Sequence, residues 1–219
     1  MRWRHDEGIM KKRLVILGAG ESGVGTAILG MQQGFDVFVS DFGTIKTPYK
    51  HVLIHHKIDW EEEGHSEAKI LNADVVMKSP GIPDTAAMVE KLLSKNIQVI
   101  SEIEFAAQFT EATIIGITGS NGKTTTASLT HALLKDELNV ALGGNIGKSF
   151  AELVAVETYE HFVLELSSFQ LDGIVDFAPH IAVLTNLSPD HLDRYDNDFQ
   201  KYIASKFRIT KNQTAADYF

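Results

Sequence analysis

The sequence predicts an α/β protein with two consecutive units, each built on a parallel sheet. Two apolar runs lead to this prediction, RLVIL at Arg13–Leu17 and TIIGIT at Thr113–Thr118. Each run stops at glycine and leads into a stretch with helical spacing. Runs that are apolar throughout, in place of alternating ones, indicate parallel strands that helices cover on both faces.

The composition agrees with a folded protein and excludes several classes of function. Of the 219 residues, 44% are hydrophobic and 22% are charged, as in ordinary globular domains. The formal net charge of −9 argues against a nucleic-acid binder or a membrane-surface binder. The absence of cysteine excludes disulfides, zinc–thiolate sites and a cysteine nucleophile. No apolar run approaches the roughly 20 residues of a membrane span, so we expect a cytoplasmic protein.

The first unit contains four predicted strands. They are Arg13–Leu17, 36–39, 75–77 and Gln98–Ile100. The stretch 24–33 has the spacing of a helix. For the charge run EEE at 61–63 we expect a solvated surface turn.

Two boundaries divide the chain. The charged residues 1–11 precede the first apolar run, and we expect a flexible tail there. The pattern SEIE at 101–104 predicts a capping box and a short helix that ends near Phe109. Because the next strand carries its own glycine loop, we expect two domains, at 12–110 and 111–219.

The second unit repeats the alternation of strands and helices. Its predicted strands are Thr113–Thr118, 162–166 and Ile181–Leu184. A helix is expected at 123–135 and an amphipathic helix at about 197–211. Residues 214–219 have the character of the approach to another strand, so we expect this domain to be incomplete.

The motif TGSNGKT at 118–124 follows a predicted strand and precedes a predicted helix. Such a loop directs backbone N–H groups at phosphate oxygens, while Lys123 adds positive charge and Thr124 offers a hydroxyl to Mg²⁺. The usual spacing requires glycine where Ile117 stands, so this is a variant P-loop. A glycine turn capped by threonine is the alternative. The predicted ATP-binding residues are Gly119, Ser120, Asn121, Gly122, Lys123, Thr124 and Thr125.

The motif GAGESG at 18–23 matches the dinucleotide fingerprint G-x-G-x-x-G, and Asp41 follows the second strand. This pattern predicts a tandem Rossmann-like arrangement with an acid placed to bind a ribose. The motif alone leaves three alternatives open: NAD(P), a nucleotide-sugar diphosphate, or a glycine turn without a ligand.

The tetrapeptide SPGI at 79–82 also follows a predicted strand. Ligands of open α/β sheets bind outside the carboxyl ends of the strands. The segment is therefore either a second wall of the first pocket or an ordinary turn.

Two polar residues of the second unit stand at strand ends. Glu165 closes one strand and His191 follows another, beside a predicted P-loop. A carboxylate at that edge is suited to bind magnesium, whereas imidazole is not a favoured Mg²⁺ ligand and His191 could equally be structural. Lys206 on the last helix would be a solvated lysine on the simplest interpretation.

Four other histidines have no partner pattern, and we expect them on the surface. They are His51, His55, His56 and His65.

Taken together, these segments resemble the Mur ligases, ATP-dependent amide ligases that build the peptidoglycan peptide. The resemblance runs from about Lys12 to the end of the chain. Three further motifs support it, GGNIG at 143–147, LELSSFQL at 164–171 and DHLDRY at 190–195. Their order is most similar to the branch that adds D-glutamate to UDP-N-acetylmuramoyl-L-alanine.

The resemblance implies roles for individual residues. The uridine-diphosphate end of the substrate would be held by Gly18, Ala19, Gly20, Glu21, Ser22, Asp41, Phe42 and Gly81. The muramoyl-peptide channel would be lined by Asn145, Ser167 and Gln170. The catalytic and magnesium-binding residues would be Lys123, Thr124, Glu165, His191 and Lys206, the last as a carbamate. Phe42-Gly43 differs from the polar residues that the family pattern leads us to expect after Asp41.

The resemblance also implies the reaction. ATP and Mg²⁺ would convert the substrate's alanyl carboxylate into an acyl phosphate, which the amine of D-glutamate attacks. We expect a monomer of three domains, with the C-terminal amino-acid-binding domain absent here, so that the chain binds ligands without ligating them. The alternatives are another Mur-type ligase (muramate–L-alanine ligase or folylpolyglutamate synthase-like), an NAD(P)-dependent oxidoreductase, and a regulatory nucleotide-binding module.

Overall fold

The computed structural model describes residues 11–219 and has an α/β fold with two sheets of parallel strands. The predicted fold class is therefore confirmed. Of the tail expected at 1–11, only Lys11 lies among the described residues.

The first sheet has five parallel strands in the order β3-β2-β1-β4-β5. They are β1 (Arg13–Leu17), β2 (Asp36–Ser40), β3 (Asp59–Glu61), β4 (Val75–Lys78) and β5 (Gln98–Ile100). In the centre, Leu14 of β1 pairs with Val37 on one side and with Val75 on the other. The chain thus leaves β1 in one direction and returns to its other side, which opens a crevice between β1 and β4 at their carboxyl ends.

The second sheet has four parallel strands in the order β7-β8-β6-β9. They are β6 (Thr113–Thr118), β7 (Val140–Gly144), β8 (His161–Glu165) and β9 (Ile181–Leu184). Tyr218 adds a single parallel bridge to Ile181 at the β9 edge. This bridge agrees with the expected approach to a strand at 214–219.

Nine α-helices connect the strands of the described part. They are α1 (Glu21–Gln32), α2 (Thr47–His55), α3 (Glu67–Ile70), α4 (Ala87–Ser94), α5 (Glu102–Ala107), α6 (Lys123–Leu134), α7 (Phe150–Val156), α8 (Ser168–Asp172) and α9 (Phe199–Phe207). Two 3-10 turns lie at Leu192–Tyr195 and Arg208–Thr210. None of these described helices is both long and apolar enough to cross a bilayer.

The apolar runs form central strands because both of their faces are buried. In β1, Leu14 and Ile16 belong to one hydrophobic cluster, whereas Val15 and Leu17 belong to another on the opposite face. Alternate residues of a strand point to opposite faces, so both faces of this sheet are covered. This burial explains why the sequence shows continuous apolar residues here and no alternation.

The structure corrects the interpretation of the charge run at 61–63. Glu61 ends β3, and its carboxylate accepts hydrogen bonds from the Ser40 hydroxyl and the Ser66 N–H. Glu62 accepts from the Ile45 N–H and forms an ion pair with Lys50. Two of the three acids therefore hold local structure, and the run is not a solvated turn.

The expected capping box at 101–104 is only half formed. The Ser101 hydroxyl accepts from the Glu104 N–H at the start of α5, as predicted. The Ser101 N–H, however, donates to the Gly173 carbonyl, and the Glu104 carboxylate does not return to it. The Glu104 side chain serves a different purpose.

Glu104 anchors the first unit to the second. Its side chain is 3% exposed and accepts three consecutive backbone N–H groups, from Val175, Asp176 and Phe177, at 2.8–3.1 Å. These amides follow α8 in the second unit, whereas Glu104 lies on the last helix of the first. One side chain thus provides the acceptor for three backbone N–H groups of the other unit, so this contact holds the two units together.

A second carboxyl group of α5 enters the same junction. Glu102 is buried and accepts a hydrogen bond from the Ala151 N–H at the start of α7. Burial raises the pKa of Glu102 to about 8, and the charge of Glu21 raises it further, against the opposing hydrogen bonds from Ala151 and Phe150. Glu102 is therefore mostly protonated at neutral pH.

Replacing Glu104 with alanine is expected to destabilise the chain by about 3 kcal/mol, because three backbone N–H groups at the junction lose their acceptor, each at a cost of roughly 1 kcal/mol. Urea unfolding followed by circular dichroism measures this change. The matched control is Glu90→Ala on the exposed face of α4, for which we expect a change within about 0.5 kcal/mol. Equal stability of the two variants would contradict the anchoring role of Glu104.

Candidate functional site

The glycine loop between β6 and α6 packs against the segment that follows β9. Gly119 has a φ of 139°, and a Cβ there would lie 2.1 Å from the Thr185 hydroxyl, so only glycine fits. The Ser120 and Asn121 N–H groups donate to the backbone and side chain of Asn186, which follows β9. Two strand ends of the second sheet thus shape the loop.

Lys123 lies across this loop. It is the first residue of α6, and its ammonium group donates to the carbonyl oxygens of Gly119 and Ser120, at 2.9 and 2.8 Å. The positive charge is therefore placed at the centre of the loop, beside the positive end of the α6 dipole. This arrangement is suited to polyphosphate.

Glu165 joins the loop to the neighbouring strands. Its carboxylate is 2% exposed and accepts from the Thr124 hydroxyl at 2.6 Å and from the Asn145 amide at 2.9 Å. Asn145 belongs to the GGNIG segment after β7, so three predicted site residues from three elements meet here. The sequence placed them at strand ends, and the parallel order of the sheet brings them together.

Lys206 is not the solvated lysine of the simplest interpretation. It is 2% exposed, and its ammonium donates to the Thr118 hydroxyl at 3.3 Å. Burial lowers the pKa of Lys206 to about 8, and the nearby charge of Lys123 lowers it further, against the carboxylates of Asp190, Asp172 and Glu165. A substantial fraction of Lys206 is therefore an uncharged, nucleophilic amine near pH 8.

These groups surround one cavity of about 140 Å³. Its lining includes Lys123, Asn145, Ser167, His191 and Lys206. His191 is exposed, has a φ of 48° and packs against Phe169, with ring centroids 5.3 Å apart. The predicted residues from the P-loop, the β7 and β8 ends and α9 thus converge on a single space.

Gln170 does not reach this cavity through its side chain. It is buried and forms a complete capping box with Ser167 at the start of α8, in which each side chain bonds the other's backbone N–H. Its structural effect is to fix Ser167 at the cavity wall. A direct contact between Gln170 and substrate stays a prediction that the structure does not favour.

The predicted magnesium ligands do not form a cluster of acids and imidazoles. Within residues 11–219, no group of three or more His, Cys, Asp and Glu side chains is arranged to hold a metal ion. Thr124 and Glu165 are in contact and both offer oxygen atoms as ligands, which Mg²⁺ prefers. A carbamate on Lys206 would add further oxygens, so the donor chemistry fits this ion.

The first unit presents its glycine loop at the β1–β4 crevice. A Cβ at Gly23 would lie 1.9 Å from the Gly18 carbonyl oxygen, so glycine is required for α1 to approach the strand end. The Ala19 N–H donates to one oxygen of Asp41 at 2.7 Å, and the Gly43 N–H donates to the other at 2.8 Å. Asp41 therefore fixes the loop after β2 against the glycine loop.

The segment SPGI at 79–82 forms the second wall of this crevice. The Ser79 hydroxyl donates to the Gly18 carbonyl, while Gly81 and Ile82 line an apolar cavity of about 420 Å³. Phe42 and His65 line the same cavity. Of the two interpretations of this tetrapeptide, the structure supports the wall.

His65 is a residue that the sequence interpretation missed. It was expected on the surface with His51, His55 and His56, which are exposed, but His65 is half-buried and bonded to the Ser40 hydroxyl at 2.7 Å. The three-residue strand β3, which precedes it, is too short to stand out in the sequence. If β3 had been recognised, the position of His65 after the carboxyl end of this strand would have indicated a site residue.

The two crevices lie at a common edge. Arg194, which follows His191 in the DHLDRY segment, donates to the carbonyl oxygen of Gly81 at 3.3 Å. Its guanidinium also lies 4.5 Å from the centre of the Phe169 ring. Loops that follow the carboxyl ends of strands in both sheets thus contact one another.

Two family models match the chain. The Mur ligase middle domain matches residues 117–219, and the MurD N-terminal domain matches residues 13–88. The two models describe domains of one family and together match most of the chain, so the chain belongs to the Mur ligase family.

Curated relatives with high sequence identity belong to one branch of this family. The chain is 63% identical to the UDP-N-acetylmuramoylalanine–D-glutamate ligase of Christiangramia forsetii and 57% identical to that of Bacteroides thetaiotaomicron. These matches cover 96% and 95% of this chain but 47% of each relative. The chain therefore spans about half the length of the curated relatives it matches.

Solved structures support the fold. UDP-N-acetylmuramate:L-alanyl-gamma-D-glutamyl-meso-diaminopimelate ligase from Neisseria meningitides has a TM-score of 0.65 at 22% identity, over 94% of this chain and 69% of that one. UDP-N-acetylmuramate-alanine ligase from Thermotoga maritima has a TM-score of 0.58 at 22% identity, over 91% and 47%. At this identity the likeness concerns the fold.

The lowered pKa of Lys206 predicts a specific pH dependence of stability. Between pH 8 and 10.5 the unfolded chain holds a proton that the folded chain has released, so the stabilities of wild type and Lys206→Met should diverge in favour of wild type as pH rises. We expect the free energy of unfolding of wild type to rise by roughly 1–2 kcal/mol relative to that of Lys206→Met. This is less than the whole pKa difference would give, because solvent at the cavity screens the charge of the lysine.

Urea unfolding in CO₂-free buffers from pH 7 to pH 10 measures this gain. The exposed Lys211→Met variant is the control and should show no comparable slope relative to wild type. A Lys206→Met difference that is flat with pH would contradict the lowered pKa.

Proposed function

We propose that these residues provide the nucleotide-sugar site and the ATP site of a ligase that adds D-glutamate to UDP-N-acetylmuramoyl-L-alanine. The observation that carries the proposal is the convergence of five predicted site residues at one sheet edge, namely Lys123, Thr124, Asn145, Glu165 and Lys206. The 63% identity to a D-glutamate ligase supports the choice of amino acid.

Each unit has its own glycine loop, and each loop would bind a different ligand. The 18–23 loop and the segments after β2 and β4 would hold the uridine diphosphate, with Gly18, Ala19, Gly20, Glu21 and Ser22 near the phosphates. The backbone amides there and the start of α1 offer donors to an anion. Domains at 12–110 and 111–219 would thus bind UDP-linked substrate and ATP, respectively.

In the second unit, the loop 119–125 would bind the phosphates of ATP. The Lys123 ammonium would leave its carbonyl partners for phosphate oxygens and neutralise charge on the transferred γ-phosphoryl group. Asn145 and Ser167, both at the cavity, would position the muramoyl-alanine carboxylate. That carboxylate attacks the γ-phosphorus, ADP departs, and the D-glutamate amine then displaces phosphate from the acyl phosphate.

Thr124, Glu165, His191 and carbamylated Lys206 would hold Mg²⁺, which supplies charge neutralisation between the phosphates and the carboxylate. Carbamylation requires an uncharged amine, and the pKa of about 8 for Lys206 makes that form accessible. The carbamate would replace a buried cation beside Lys123 with an anion. Burial at the cavity therefore prepares this lysine for the modification.

We further propose that the protein works as a cytoplasmic monomer without nucleic-acid or membrane partners. The net charge of −9 supports this. Because the protein as a whole is negatively charged, its two anionic ligands must be bound by hydrogen-bond donors and cations in the loops of the sites.

The ligase that carries this sequence is expected to form product with D-glutamate and at least about 100-fold less with L-glutamate or L-alanine. Binding sites built for one stereochemistry leave polar groups unpaired with the other. ATP, UDP-N-acetylmuramoyl-L-alanine and each amino acid are supplied in turn, and mass spectrometry detects the product. A preference for L-alanine or L-glutamate would assign the protein to another branch.

In the complete ligase, replacing Lys123 with alanine should lower ATP-dependent phosphate release about 10²–10³-fold, because a charge that acts on the transition state is lost. The control is Lys135→Ala, an exposed lysine after the other end of α6, which should retain wild-type turnover. Phosphate release is followed with a coupled assay. Near-normal turnover of Lys123→Ala would contradict the P-loop assignment.

A further inference from the structure

The apolar cavity of the first unit has one polar feature. Its wall carries Leu17, Ile82 and Met88 as well as the rings of Phe42 and His65. Among the described residues that line it, His65 is the only one with a hydrogen-bonding side chain. Any directional recognition by a side chain in this cavity therefore depends on His65.

The tautomer of His65 follows from its neighbours. The Ser40 hydroxyl is fully buried and lies 2.8 Å from the Glu61 carboxylate and 2.7 Å from His65 Nδ1. Although burial raises the pKa of Glu61, hydrogen bonds from Ser66 and Ser40 and the charge of Lys69 lower it overall, so Glu61 is ionised and can only accept.

Ser40 has one hydroxyl proton, and it must go to Glu61. The Ser40 oxygen then accepts from His65, which places a proton on Nδ1. Burial lowers the pKa of His65, against the charges of Glu61 and Asp41, and favours the neutral ring. In the neutral ring with Nδ1 protonated, Nε2 is a hydrogen-bond acceptor.

Phe42 supplies a flat apolar surface beside this acceptor. Its side chain is 76% exposed, and its ring centre lies 5.6 Å from that of His65 at an interplanar angle of 52°. Both oxygens of Asp41, the neighbouring acid, already accept backbone N–H groups. The cavity therefore offers a stacking surface and one directed acceptor, a combination suited to a planar heterocycle with an N–H edge.

We propose that His65 selects the base of the bound nucleotide, with Nε2 accepting a hydrogen bond from an imide N–H of a pyrimidine that stacks on Phe42. This inference rests on the proposed function, in which a uridine diphosphate occupies the first unit. Uracil presents an N–H at N3, whereas cytosine presents a lone pair there that would face the lone pair of Nε2. His65 is thus a specificity-determining residue, held in its tautomer by Ser40 and Glu61.

Isothermal titration with UDP and N3-methyl-UDP tests this role, with the P-loop saturated by a non-hydrolysable ATP analogue. The wild-type chain should bind UDP about tenfold more tightly than the methylated analogue, because one hydrogen bond is lost. His65→Asn retains a donor in place of Nδ1 but has no Nε2. It should bind UDP about tenfold more weakly and discriminate less than about threefold.

His65→Gln is the matched variant, because its amide oxygen can occupy the place of Nε2. It should recover part of the preference for UDP, and the exposed His51→Phe should bind as wild type does. A second readout needs no substitution: in ¹⁵N spectra of histidine-labelled wild type, the Nε2 signal of His65 should move on addition of UDP and stay on addition of N3-methyl-UDP.

The outcomes separate the two proposals. UDP binding with equal affinity for the methylated analogue, or an unmoved Nε2 signal, would overturn the role of His65 and leave the proposed function standing. Undiminished discrimination by a folded His65→Asn would do the same. No binding of UDP together with tight binding of NADH would overturn the proposed function itself.

Discussion

The insertion of Glu104 into three consecutive amides of the second unit is the contact on which the arrangement of the two sheets depends. Without it, Val175, Asp176 and Phe177 would be left with unpaired N–H groups beside a buried junction. Because α5 follows directly on β5, this contact sets the position of the first sheet's carboxyl edge relative to the second. Arg194 and Gly81 form a second contact between the two units.

The central strands could be predicted from the sequence because their side chains are apolar on both faces of the sheet. Arg13–Leu17 and Thr113–Thr118 are buried on both faces, and their predicted bounds match the observed strands. The strand β7 at Val140–Gly144 was missed, since it ends in two glycines and resembles a loop. The strand β3 at Asp59–Glu61 was missed because its three residues are polar or aromatic and lie at a sheet edge.

The candidate site was predictable where chemistry and strand ends coincide. Glu165 and Lys123 fit that rule, and the structure places both at the same edge. The burial of Lys206 could not be read from a helix pattern, because α9 packs this side chain against Thr118, which belongs to β6 and lies 88 positions earlier in the chain. His65 was hidden for a similar reason: its hydrogen-bond partner Ser40 lies 25 positions earlier in the chain and comes close only because β2 pairs with β3.

The two hydrogen bonds that Lys123 makes to its own loop have a consequence for the entropy of ligand binding. The ammonium has three N–H groups, and the carbonyl oxygens of Gly119 and Ser120 accept two of them. The third N–H can therefore reach a phosphate oxygen before either of these hydrogen bonds breaks. Because the carbonyl partners already hold the side chain in one conformation, a ligand that enters the loop does not have to order a free lysine. The rotamer entropy of Lys123 is thus lost on folding and is not lost again when a phosphate binds.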